Sequence, residues 1–373
     1  MTDFAERALL PAGLRDILPP FADHEADVVS RLMQVFAAYG YERVKPPLIE
    51  FEESLLTVGG AVAQQTFRVM DPLTQRMMGV RSDMTPQVAR IAATRLAKAP
   101  RPLRLSYAGQ VLRVKGSQLR PERQFGQAGI ELIGASGAAA DAEVVCLCVE
   151  ALTRLGLAGV TVDLTMPTLV PLVIAGVETG DGLRDALDHK DAAAVALAGG
   201  AAAAVLGALI EAVGPAERAL KRLASLDLPA AAAAARDALA RVVGLIHNVM
   251  PAATLTIDPV ENRGFEYHTG ISFTIFARNC SGEVGRGGRY LAHGEAATGA
   301  TLYMDTLLEA LPMPPAQPKL FVPAGTARAV AERLRAGNWV TVAGLEDNAD
   351  PAAEARRLGC SHLVVDGQAV PLD

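Results

Sequence analysis

The stretch PLRLSYAGQVLRVKGSQLRPERQFGQAGIELIG, residues 102–134, decides the fold of this chain. Two strand-like runs flank a polar loop, KGSQLRPE, and a loop of that length between such runs predicts a long antiparallel hairpin. Arg113 stands at the end of the first run. On the second, strand alternation sends Gln127, Gly129 and Glu131 to one face and Ala128, Ile130 and Leu132 to the other. The apolar face belongs on a core. The other, an amide, a bare backbone and a carboxylate, reads either as a solvated sheet face or as a ligand wall, with Gly126 and Gly129 leaving room between polar groups.

Toward the carboxyl end, RGFEYHTG (263–270) lies between the apolar runs TLTIDPV and ISFTIFA. The planar guanidinium fork of Arg263 suits a carboxylate and keeps its charge when partly desolvated, although Glu261 or Glu266 could equally hold it as an ion pair on a strand. Strand alternation would place Tyr267 and His268 on opposite faces, so one of them at most would share the face of Arg263 unless a bulge intervenes. GEVGRGGRY reads as a glycine-rich turn ending in Arg289 and Tyr290; it lacks the Lys-Ser/Thr and the following helix of a P-loop. Residues 298–311, TGATLYMDTLLEAL, read as a strand running into a helix.

Toward the amino end, TFRVM, the turn DPLTQ and RMMGVRSD predict a hairpin that delivers Arg81 and Asp83 to its end. Thr85 is placed to cap the next helix with Pro86 at its first position, and Asp83 is a carboxylate beside that start, either a second cap or a ligand group. YERVKPPLIEFE is a strand stopped by Pro46 and Pro47, hence at an edge or interface. Before it, Val28, Val29, Leu32, Met33 and Phe36 recur at helical spacing, with Gly40 placed to end the helix.

Residues 138–156 predict a helix carrying Cys146 and Cys148, and VTVDLTMP a strand. From about 170 to 250 the sequence turns alanine-rich and helical, an insertion in a β pattern that resumes at Thr254. Within it, Ala192 to Ile210 carry no charge, but alanine contributes little to membrane transfer, so a soluble helical pair is expected. PMPPAQP (312–318) is a proline-rich linker, and residues 319–373 alternate strand and helix as a small α/β unit.

With half its residues hydrophobic and a fifth charged, the chain has a globular balance; a net charge of −6 gives no basic footprint for nucleic acid. Four cysteines without CxxC or Cys/His zinc spacing read as buried thiols in a reducing compartment, and the acidic amino terminus does not resemble a secretory signal. A cytoplasmic protein without metal or cofactor is expected.

The order of these pieces resembles the class II aminoacyl-tRNA synthetase fold, and specifically the histidyl-tRNA synthetase family, over nearly the whole chain. YERVKPPLIE resembles motif 1, which builds that family's dimer interface. RSDMTPQVAR is similar to its amino-acid-binding signature, and QVLRVKGSQLRPERQFGQAGIELIG to motif 2. RGFEYHTG and GGRY resemble its two histidine-recognition segments, and RDALDHKD falls in its insertion. The implied architecture is α+β: residues 1–311 an antiparallel sheet flanked by helices with the helical insertion, then the linker and a truncated C-terminal α/β domain.

Residue by residue, the resemblance implies that Asp83, Thr85 and Gln127 receive an ammonium, that Arg263 and Arg113 receive a carboxylate, and that Glu131, Tyr290 and the ring of His268 surround an imidazole, with Tyr267 also among the histidine-binding residues. Within this pocket Asp83 is one methylene shorter than the family's glutamate and His268 replaces a tyrosine, but departures lie mainly on the nucleotide side. Lys115 occupies the place of a motif 2 glutamate; Tyr303, Met304, Asp305 and Thr306 occupy a motif 3 sequence of glycine, leucine, glutamate and a phosphate-binding arginine. Phe125, which in the family stacks on adenine, is retained. An amino-acid pocket without the phosphate cation resembles the synthetase paralogues that serve as regulatory subunits of ATP phosphoribosyltransferase. That implies a non-catalytic partner of the short-form transferase subunit, L-histidine as effector, and a homodimer through motif 1 inside a hetero-oligomer. Because the C-terminal domain is short, tRNA is not expected as a partner. An active histidyl-tRNA synthetase and a stand-alone histidine-binding protein are the alternatives.

Overall fold

Val28, Leu32 and Phe36 fall four residues apart and lose all contact with solvent along helix α1 (Phe21–Ala38). Gly40, at φ +79°, follows its end, a left-handed position that glycine takes without a Cβ penalty. The prolines then part what reads as one strand into two: β1 (Glu42–Arg43) and β2 (Ile49–Phe51) belong to different sheets, each at an edge. β3 (Phe67–Met70) and β4 (Met77–Val80) form the hairpin, and β2 joins it in the order β2-β4-β3. Arg81, at its end, is buried and donates to the carbonyls of Gln110 and Pro46 at 2.7 and 3.1 Å, a tether between segments. Thr85 is the first residue of α2 (Thr85–Thr94) instead of its cap; Asp83 Oδ1 accepts the Thr85 N–H at 3.0 Å.

The long hairpin is β5 (Leu103–Leu112) paired antiparallel with β6 (Gln124–Ile133). Around it, β7 (Thr161–Thr165), β8 (Gly214–Pro215), β9 (Thr254–Ile257), β10 (Ser272–Phe276), β11 (Gly285–Ala292) and β12 (Glu295–Tyr303) build a nine-stranded sheet ordered β1-β5-β6-β12-β11-β10-β7-β9-β8. All its pairs are antiparallel except β1–β5 and β7–β9. This is a computed structural model in which residues 10–55, 65–116, 121–261 and 267–372 are described.

The glycine-rich segment 285–292 is therefore a strand, not a turn. Its glycines answer to close neighbours: a Cβ on Gly287 would strike the Phe273 ring and the Gly299 carbonyl, so only bare backbone fits that ladder.

Ala128, Ile130 and Leu132 face a large core shared with α1, α3 (Ala138–Leu155) and α4 (Ala230–Val249). Gly156, at φ +97°, closes α3, its N–H reaching the carbonyls of Leu152 and Thr153. The alanine-rich region is not an appendage without contacts: Leu239, Val242, Val243 and Ile246 of α4 bury into that core, and α4 packs along α3. The uncharged run within it is a helical pair, Ala192–Ala198 and Ala203–Glu211, broken at Gly199 and Gly200. No helix among the described residues is long and apolar enough to cross a membrane. Of the four free cysteines, Cys148 and Cys360 are buried while Cys146 and Cys280 are only half-buried, and burial raises all four thiols.

The chain divides into two units, Met1–Pro312 and Met313–Asp373, the first ending just after α5 (Met304–Ala310). The second holds a sheet ordered β14-β13-β15-β16, from β13 (Lys319–Val322), β14 (Val340–Ala343), β15 (His362–Val365) and β16 (Gln368–Pro371). Leu320 and Val322 pack with Ala331 of α6 (Arg328–Ala336), whereas Phe321 packs on the other face with Ala355 of α7 (Pro351–Arg357). β16 is an addition to the expected strands. Its hairpin turns at Asp366-Gly367, both at positive φ, the Asp-Gly turn favoured between antiparallel strands.

Candidate functional site

On the β6 face opposite the large core, Glu131 is completely buried. Its Oε1 accepts from Thr85 Oγ1 at 2.8 Å and Tyr107 Oη at 3.3 Å, and its Oε2 accepts from Tyr290 Oη at 2.9 Å. Three elements supply these hydroxyls, the start of α2, β5 and β11. Two glycines make the space. Gly299 stands directly across the ladder from Glu131, and a Cβ there would overlap Oε2 outright; a Cβ on Gly129 would overlap the Tyr107 ring. Thr301 Oγ1 lies 2.8 Å from Tyr107 Oη and steadies it.

Burial pushes the Glu131 carboxyl up to about 8; the Asp83 charge adds to this, and the hydroxyls of Thr85, Tyr290 and Tyr107 oppose it. Hydroxyls donate to a carboxylate but do not neutralise it. Glu131 makes no ion pair among the described residues.

Asp83, Thr85, Tyr267, His268, Arg286, Tyr290 and Tyr303 complete the walls of a narrow cavity at Glu131, about 30 Å³, room for about two waters. Tyr267 and His268 do not alternate across a strand: they lie in a turn and both line the cavity, their rings 4.0 Å apart and tilted by 32°. The Thr269 N–H donates to the Arg289 carbonyl and the Arg289 N–H to the Ile271 carbonyl, which lays the segment along β11. A Cβ on Gly288 would come within 2.5 Å of the His268 ring, so glycine there admits the imidazole. Tyr267, 44% exposed, stands half in solvent with its ring edge-on to Tyr290.

Gln127 departs from its expected role. Its Oε1 accepts the Met84 N–H at 3.2 Å, leaving the buried Nε2 without a hydrogen-bond partner among the described residues. It thus offers a donor, which suits a carboxylate, not the ammonium assigned to it. Arg113 does not line the cavity: its guanidinium lies over the Phe125 ring, 4.9 Å from the centroid, where aromatic π density attracts it. Arg263 lies outside the described residues. Lys115 is exposed, and Thr306 is buried on α5, so neither is part of the cavity.

Arg286 was missed as a wall residue. It donates to the Glu283 carboxylate at 2.8 and 3.1 Å. Its signal was period-two alternation, Arg286, Gly288 and Tyr290, obscured by glycines read as a turn. Arg289, on the opposite face, ties β11 to α3 through a 2.7 Å ion pair with Asp141, which also accepts from Thr298 Oγ1 at 2.7 Å. Among the described residues no group of three or more His, Cys, Asp or Glu is arranged to hold a metal ion.

The histidyl-tRNA synthetase family matches residues 13–307. The chain is 67% identical over 368 residues to a protein of Paramagnetospirillum magneticum named ATP phosphoribosyltransferase regulatory subunit, covering 97% of each. A protein of the same name from Rhodospirillum rubrum is 57% identical over 371 residues, covering 97% of this chain and 96% of the other. A solved structure from Bacillus halodurans, described as an ATP phosphoribosyltransferase regulatory subunit/histidyl-tRNA synthetase, is similar with a TM-score of 0.83 at 25% identity, over 94% of this chain and 96% of that one. The histidyl-tRNA synthetase of Nostoc sp., at 17% identity and a TM-score of 0.74 over 97% and 91%, shares the fold.

Proposed function

The chain belongs to the ATP phosphoribosyltransferase regulatory subunits, within the histidyl-tRNA synthetase family, and from that premise we propose that L-histidine acts as its effector by binding in the cavity at Glu131. The subunit is regulatory and non-catalytic and serves histidine biosynthesis. The observation that carries the effector reading is the buried carboxyl of Glu131, surrounded by hydroxyls and given its space by Gly299. An imidazole N–H supplies a further donor to this hydroxyl-held acceptor, a bond that an apolar isostere could not make.

The half-buried Asp83 carboxylate takes the ammonium, and the Gln127 Nε2, with Arg263, takes the carboxylate. A cavity of about 30 Å³ admits an amino acid only when its walls give way, and the half-exposed Tyr267 ring is the one with room to move. Occupancy then biases the cytoplasmic complex with the short-form catalytic subunit, a coupling of about 1–3 kcal/mol. Two copies of the chain pair through residues 41–50, where Leu48 and Ile49 expose apolar side chains at a sheet edge.

Calorimetric titration with L-histidine, alone and with the transferase subunit added, tests this. Wild-type protein is expected to bind, and Glu131→Gln to bind up to about 10-fold more weakly, the loss of one hydrogen bond to a neutral carboxyl. No binding in either state sinks the assignment, and binding only in the complex moves the site to the partner interface.

A further inference from the structure

The sheet face that carries Glu131 is a ruled surface. Opposite Glu131, Gly129 and Gln127 on β6 stand Gly299, Thr301 and Tyr303 on β12, in register. Side chains on that row therefore grow from none, to a hydroxyl, to a phenol. The next β6 residue on the same face, Phe125, meets the Tyr303 ring edge-on at 6.2 Å and 72°, and its π face is covered by Arg113. Phe125 and Tyr303 are 4% and 5% exposed, so these rings form a closed wall.

The cavity has no other way to lengthen along the strands. Beyond Glu131 the same face runs into Ile133 and Ala297, both fully buried in core. From Glu131 to the Gln127–Tyr303 pair is about 13 Å of strand, which bounds what a ligand anchored at Glu131 can occupy. A group attached to that ligand's carboxyl has to pass Tyr303.

We infer that Tyr303 is a specificity-determining residue, which lets the cavity take a free amino acid and excludes the same amino acid joined through its carboxyl to a nucleotide. Resting on the histidine reading above, the inference explains how a chain of the histidyl-tRNA synthetase family can sense an amino acid without holding its activated form. Specificity of this kind comes from a repulsive element as much as from attractive contacts. The phenol ring is that element, since a glycine or serine at 303 would open the row toward Phe125.

The test compares affinity for L-histidine with affinity for a non-hydrolysable histidyl sulfamoyl-adenosine, by calorimetry on the full chain. Wild type is expected to favour the free amino acid by about 100-fold or more, and Tyr303→Phe, which keeps the ring, to retain that ratio. Tyr303→Gly is expected to reduce the ratio to about 10-fold or less. Should Tyr303→Gly fail to fold, as judged by circular dichroism, Tyr303→Ser is read in its place. Equal wild-type affinity for both ligands overturns the inference and leaves the histidine reading standing, as does an unchanged ratio in the folded Gly or Ser variant. No histidine binding by wild type, alone or with the transferase, overturns both.

Discussion

Gly299→Ala is expected to lose about 4 kcal/mol of folding stability, the combined effect of overpacking a core strand and of stripping buried hydroxyls of their acceptor. The added Cβ would overlap the Glu131 carboxylate, which is held from three directions by Thr85, Tyr107 and Tyr290 and has no solvent to retreat into. Either β12 shifts against β6, or Glu131 abandons its donors. Urea unfolding measures the loss, and a double-mutant cycle with Glu131→Ala assigns its cause: removing the carboxylate should restore much of what the methyl group takes away. A Gly299→Ala protein within about 1 kcal/mol of wild type would mean that the two residues do not face each other across the ladder.

Glu131→Gln is expected to flatten the pH dependence of stability. The folded-state value of about 8 lies above the 4.5 of an exposed glutamate, so the native state holds a proton that the unfolded chain has released. Its contribution to stability is complete below pH 4.5 and is lost as pH rises to about 8, with a slope of up to about 1.4 kcal/mol per unit. Across that window the difference between wild type and the glutamine variant reaches the order of 4 kcal/mol. Chemical unfolding of both proteins at pH 5 and pH 8.5 checks this. The variant should be the more stable at the higher pH, although it binds histidine worse, because a buried carboxyl kept for a ligand is costly in its absence. Parallel stability curves for the two proteins would show that Glu131 is not desolvated.

Much of this site could be read from local pattern. Alternation along QFGQAGIELI placed Glu131 and Gln127 on one face and Ala128, Ile130 and Leu132 on the other; both faces are buried, and a one-residue slip would turn the carboxyl and the amide into the large apolar core. Glycines misled where they were taken as turn signals. In GRGGRYLA they lie inside a strand, demanded by Phe273, His268 and the neighbouring backbone, none of which local sequence reveals. The Asp366-Gly367 hairpin carried its signal openly, a two-residue turn between apolar runs, in a unit read only as alternating strand and helix. Tyr267 and His268 share a wall because a turn, not a strand, presents them.

The sequence alone determined the kind of fold, the hairpin at its centre and the carboxylate at the heart of the cavity. The hairpin follows from periodicity and propensity over ten or so residues, whereas the kind of fold and the role of the carboxylate rest on the resemblance to family motifs, which are likewise contiguous. Only the tertiary structure decided which hydroxyls hold that carboxylate, that Gly299 makes its space, that Arg113 lies on Phe125 and that Tyr303 closes the wall. Tyr290 meets Glu131 from 159 positions away in the chain. Contacts at that separation depend on sheet order and ladder register, which are set by how all the strands pack together and not by any one of them.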